Sequence, residues 1–96
     1  MKTTRMTVEG ARGEATLSRV EDRIRIEAKY LARFIETPKR DVPVFETAIW
    51  EVAADSRGSD GRFERNARRL QATLDGYEGT SGDVAEYLRA IQTFAD

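Results

Sequence analysis

The chain contains no histidine and no cysteine. Without cysteine there are no disulfides, no thiolate metal sites and no cysteine nucleophile, and the redox compartment is left open. Without histidine there is no Ser-His or Cys-His activation, no imidazole base, and none of the imidazole ligands on which most zinc, haem and non-haem iron sites depend. The remaining options are carboxylate, lysine, tyrosine and hydroxyl chemistry, with carboxylate-only Mg²⁺ or Ca²⁺ binding. No EF-hand spacing, phosphate-cradling glycine loop or dinucleotide fingerprint is present. Apolar runs are short as well. None approaches the roughly 20 residues needed to span a bilayer, and the start, MKTTRMTVEG, lacks the apolar stretch of a signal peptide. The expected compartment is therefore the cytoplasm, with no membrane partner.

At 96 residues, 40% apolar and 34% charged, the sequence is expected to form one globular domain over residues 1–96. Its net charge is −1, but the signs are segregated. Residues 1–40 carry ten Lys or Arg against six acids. Residues 41–56 carry four acids and no base, residues 57–69 carry five arginines against two acids, and residues 70–96 carry five acids against Arg89. Such blocks suggest faces of opposite sign rather than the overall basic balance usual in nucleic-acid binders.

The first thirty residues read as strands. Arg5–Glu9 alternates polar and apolar, Gly10–Gly13 is a turn signal, and residues 14–20 form a second candidate strand. Residues 23–30, RIRIEAKY, alternate most clearly, with Ile24, Ile26, Ala28 and Tyr30 facing a core and Arg23, Arg25, Glu27 and Lys29 facing outward. The expectation is a three-stranded antiparallel meander. If Glu21-Asp22 is not a turn, a two-stranded hairpin with one long bent strand replaces it. Residues 31–36 either continue the strand or make one helical turn, and residues 37–43 form a loop around Pro38.

Three amphipathic helices are expected to follow, packed on one face of the sheet, giving an α+β fold. The first would run from Pro43 to about Ser56, with Asp41 in capping range and a stripe of Phe45, Ala48, Ile49, Val52 and Ala53. Trp50 does not fit that stripe and is either buried against the sheet or an exposed contact anchor. The second helix is expected from an Asp60 N-cap to a C-terminal Gly76, with Phe63, Ala67, Leu70, Leu74 and Tyr77 on one side. Ser81 would cap a third helix carrying Val84, Tyr87, Leu88, Ile91 and Ala95, with Phe94 at the edge.

Helix geometry, at about 100° per residue, places Arg62, Arg65, Arg68 and Arg69 opposite the apolar stripe of the second helix. Guanidinium forks suit carboxylates and phosphates. A solvated face whose long side chains cover apolar surface is the plainer alternative. Carboxylate pairs such as Glu21-Asp22, Asp55 with Asp60, or Glu46 with Glu51 have no catalytic signature, and no enzyme activity, cofactor, metal or small-molecule substrate is expected.

The expected role is a non-catalytic protein-interaction module of the small accessory or inhibitor kind, such as a phage- or immunity-type protein that covers an enzyme's surface. Its binding residues would be Arg62, Arg65, Arg68, Arg69 and Trp50, with Arg23 and Arg25 on the sheet. The partner would be an acidic protein surface, or a second copy presenting its acidic face in a homodimer. The alternative is nucleic-acid binding through the same arginines and the basic outer sheet face.

Overall fold

A computed structural model describes residues 5–55, 60–76 and 81–96, the side chains of 81–83 excepted. Four strands come first: β1 (Arg5–Gly10), β2 (Gly13–Val20), β3 (Arg23–Glu36) and β4 (Asp41–Ala53). They pair antiparallel in chain order, β1-β2-β3-β4, so β1 and β4 are the free edges. Two helices follow, α1 (Arg62–Asp75) and α2 (Ser81–Thr93).

The first three strands follow from alternation. Ala15 and Leu17 on β2 and Ile24, Ile26 and Ala28 on β3 are wholly buried, while their polar neighbours are not. The β2–β3 connection is the two-residue turn Glu21-Asp22. Glu21 takes a positive φ of 56°, and its carbonyl accepts a 2.6 Å bond from Arg19 Nε. Both helices lie on the sheet face that carries these apolar side chains. Phe63, Ala67, Leu70 and Leu74 from α1 and Tyr87, Ala90 and Ile91 from α2 complete the core, with Phe94 just beyond. Each fully buried Leu or Ile in this set contributes about 1.5–3 kcal/mol relative to an exposed one.

The α+β class stands, but the expected three strands and three helices do not. There are four strands and two helices. The expected first helix, from Pro43 to about Ser56, is instead β4 as far as Ala53; Ser56 lies outside the described residues. The reason is visible at the even positions. Val42, Val44, Ala48, Trp50 and Val52 recur with period two, interrupted only by Glu46, and the segment is rich in β-branched residues. A helical stripe through Phe45, Ala48, Ile49, Val52 and Ala53 reads from the same letters, but it excludes Trp50; the strand includes it. Residues 31–36 continue β3, and the loop expected over 37–43 contracts to the turn between Glu36 and Asp41. Thr37 closes that turn, its N–H donating to the Arg40 carbonyl at 3.2 Å and its Oγ1 accepting the Arg40 N–H at 3.2 Å. Expected Tyr77 lies outside the described residues, as does any side-chain cap from Ser81. The N-cap of α1 is Gly61 rather than the expected Asp60; Asp60, one residue earlier, accepts the Arg62 N–H at 3.0 Å.

The strands are unequal. β2 pairs with β3 only over residues 23–30, whereas β3 and β4 stay paired out to Glu36 and Asp41. Leu31–Phe45 is therefore a two-stranded arm projecting past the Gly10–Gly13 turn. At 3.3 Å per residue its β3 limb, Leu31–Glu36, extends about 20 Å. The molecule is accordingly 52 Å long but only 25 and 20 Å across, and its radius of gyration, 14.7 Å, exceeds the roughly 12.5 Å of a compact chain of this length.

Candidate interaction surface

Four arrangements position the side chains singled out by the sequence. The first is the α1 face. Arg62, Arg65, Arg68 and Arg69 do lie away from the buried stripe, yet each meets a neighbour within the chain. Arg62 Nη2 is 3.7 Å from Asp60 Oδ2, and Arg65 Nη1 donates to the Asp60 carbonyl at 2.6 Å. Arg68 pairs with Glu64 at 3.0 Å across one helical turn. The Arg69 guanidinium sits 4.0 Å above the Trp50 ring. Exposed ion pairs of this kind contribute at most about 1 kcal/mol each.

The second is Trp50. It sits opposite Ile26 in the β3–β4 register, on the helix-facing side of the sheet, and is half-buried. Its Nε1–H donates to Asn66 Oδ1 at 3.0 Å, and Asn66 Nδ2 in turn donates to the Arg62 carbonyl at 2.8 Å. Trp50, Asn66 and Arg69 therefore tie β4 to α1. A cation over an indole contributes about 0.5–2 kcal/mol, according to how dry the contact is.

The third is the outer sheet face. Arg23, Arg25 and Lys29 occupy it as alternation requires, in company with Glu27 on β3 and Glu51 on β4. Arg23 Nε donates to Glu51 at 3.0 Å. Glu46 falls on the opposite face, paired with Arg33 at 2.9 Å, so Glu46 and Glu51 do not form a carboxylate pair.

The fourth, the arm, was hidden while residues 43–56 read as a helix. Register slips by one residue between Leu31 and Arg33, a β-bulge at Ala32. β4 carries no compensating insertion. Beyond the bulge Phe34 therefore joins Leu31 on the outer face, opposite Pro43, with Phe45 and Ile49 alongside on β4. Their exposures are 56% for Phe34, 67% for Phe45 and 52% for Ile49. The inner face of the arm carries Ile35, Val42 and Val44, where Arg33, Glu46 and Tyr30 also lie; the Tyr30 hydroxyl is 3.5 Å from Glu46. The outer side is the more open, since Val42 and Val44 are half-buried. A signal for this patch existed in the sequence: Phe34, Phe45 and Ile49 are large apolar residues that a strand reading of 41–53 leaves outside the core.

Elsewhere, an open cleft of about 340 Å³ lies between β1 and α2, with Met6, Val8, Tyr87 and Ala90 in its wall and Glu86 and Arg89 beside them. Among the described residues no cluster of three or more acids is placed to hold a metal ion, and no helix is long and apolar enough to cross a membrane. No family model, curated protein or solved structure matches the chain.

Proposed function

We propose that this chain is a non-catalytic protein-interaction module that docks through the β3–β4 arm. The observation that carries this reading is the exposure of Phe34, Phe45 and Ile49 together on one face of a two-stranded ribbon. A ribbon of two strands is marginal in water unless a face is covered, and neighbouring exposed aromatics are the usual anchors of protein contacts. The sequence supplies no imidazole or thiol for catalysis. The arginine face of α1 is a weaker docking surface than the arm, because its guanidinium groups already serve Asp60, Glu64 and Trp50. A role as an accessory or inhibitor protein that covers part of a larger partner fits a projecting apolar element.

One observation favours nucleic acid as a second reading: Arg23, Arg25 and Lys29 share the outer sheet face with Phe34 and Phe45, and aromatics beside cations can stack bases. Six acids on that face, Glu9, Glu14, Glu27, Glu36, Asp41 and Glu51, oppose it.

The test compares capture of binding proteins from the native host by wild type, by Phe34→Ser/Phe45→Ser and by Arg65→Glu/Arg69→Glu. The arm reading expects the phenylalanine variant to lose its partner by at least about tenfold, with the arginine variant close to wild type. The reverse pattern returns the docking surface to α1. Binding to single-stranded DNA or RNA that weakens with log salt, by about 0.9 or less per phosphate contact, favours the second reading.

A further inference from the structure

We infer that the partner of the arm is a second copy of this chain, seated outer face to outer face. This rests on the reading of the arm as the docking element and adds to it the identity of the occupant. The argument is one of charge and symmetry. On the outer face, β3 presents Arg23, Arg25 and Lys29 against the two acids Glu27 and Glu36, while β4 presents Asp41 and Glu51 and no base. The two strands of one hairpin face thus carry opposite signs.

A dimer interface built on a two-fold axis uses the same patch twice, so the patch must complement itself. Two placements of the axis bring the outer faces together. An axis across the strands lays β3 on β3 and sets cations against cations. An axis along the hairpin lays β3 of one protomer on β4 of its partner, and opposite signs meet.

The second placement also matches the apolar residues. Arg25 and Glu51 are cross-strand neighbours, so Arg25 faces Glu51 of the partner subunit, and the exchange is reciprocal. Leu31 then meets Phe45 of the partner subunit, and Phe34 meets Pro43 of the partner subunit, at one end of the contact. Two pairings do not match: Glu27 lies opposite Ile49 of the partner subunit, with its carboxylate between Arg25 and Lys29 of its own strand, and at the tip of the arm Glu36 lies opposite Asp41 of the partner subunit. Arg25 and Lys29 have no ion-pair partner among the described residues, whereas Glu51 holds Arg23.

The contact is narrow. Two strands about 10 Å wide cover less than the roughly 800 Å² per partner of a standard interface, so the contact belongs with the weak, transient class and is expected to associate at about micromolar concentration or above.

Sedimentation equilibrium on the full chain tests this. Weight-average mass should rise from 10.9 kDa toward twice that value between about 5 and 500 μM. Phe34→Ser/Phe45→Ser should stay monomeric throughout with an unchanged melting curve, since neither side chain is in the core. Arg25→Glu should weaken association at least about tenfold, and adding Glu51→Arg should restore most of it. A wild-type monomer at the highest concentration overturns the inference, as does a dimer indifferent to the phenylalanines or a charge swap that fails to rescue. A monomer whose arm variant still loses a captured host protein, or a nucleic acid, overturns the self-pairing while leaving the arm as the docking element. A monomer whose arm variant loses nothing ends both readings.

Discussion

Gly13 opens β2 where no side chain fits. A Cβ there would overlap the Lys29 carbonyl oxygen and lie 2.7 Å from Tyr30 Cα, both backbone atoms that cannot rotate away. Gly13→Ala is therefore expected to lower stability by about 1–3 kcal/mol, read as a lower urea midpoint with an unchanged slope. Gly76 has a different role: at φ 79° and ψ −179° it holds a backbone conformation that is essentially glycine's alone. It lets α1 end while its N–H still reaches the Ala72 carbonyl at 3.1 Å. The sequence marked Gly76 as a helix stop, because a glycine after a periodic run has that meaning. The tight approach at Gly13 was not legible, since it depends on which strand lies beside it. The same limit applies to Trp50. Its failure to fit a helical stripe was visible, but its bond to Asn66 and its contact with Arg69 arise only once β4 lies under α1. The arginine spacing shows a face off the buried stripe, and the partners of Arg62, Arg65 and Arg69 lie outside the helix, at Asp60 and Trp50, while Arg68 meets Glu64 within it.

At the scale of elements, two further clamps join the Trp50–Asn66 bond in holding the helices to the sheet. Asp75, at the end of α1, accepts the Ala11 N–H at 2.7 Å and the Tyr87 hydroxyl at 2.5 Å, joining the β1–β2 turn to both helices. Arg19, on β2, donates to the Phe94 carbonyl at 2.7 Å and pairs with Asp96 at 2.6 Å, fixing the segment after α2 against the β2–β3 turn. Charge-assisted bonds to carbonyls are worth about 1.5–3 kcal/mol where they are shielded, and the partial exposure of Arg19 places it at the lower end. Arg19→Ala should therefore cost about 1–2 kcal/mol in global stability, and limited proteolysis should cut first near residue 94. An unchanged melting temperature with intact proteolytic resistance would contradict that role. Neither clamp has a sequence signature, because the bonds that tie helix to sheet, Ala11 to Asp75 and Arg19 to Phe94 and Asp96, join residues more than sixty positions apart. The first three strands and the two helices that remain were legible from periodicity. β4 was not, because residues 41–53 satisfy a helical and a strand pattern at once, and only pairing to β3 decides between them. Proline at position 43 encouraged the helical reading, yet proline is equally at home on a free sheet edge, and β4 is one.

For the whole molecule, length and charge tell one story. The body is a four-strand, two-helix layer around an apolar core, and the arm is the part that the core does not support. The segregation of charge along the chain becomes segregation between adjacent strands, with basic β3 beside acidic β4. That pattern leaves the net charge near zero while giving one face a complementary pair of stripes. The arm's existence depends on β3 and β4 being nearly twice as long as their neighbours, a property of pairing that strand boundaries alone do not reveal.

The most direct measurement is amide hydrogen exchange across β3 and β4 at low and high protein concentration. In dilute solution the amides of residues 24–30, and those of 48–52 that bond to β3, should be protected with the core, and those of 33–36 and 42–45 should exchange far faster. Raising the concentration should protect the arm selectively and leave the body unchanged. An arm as protected as the core in dilute solution, or one that exchanges equally fast at every concentration and in the presence of every captured partner, would contradict the account.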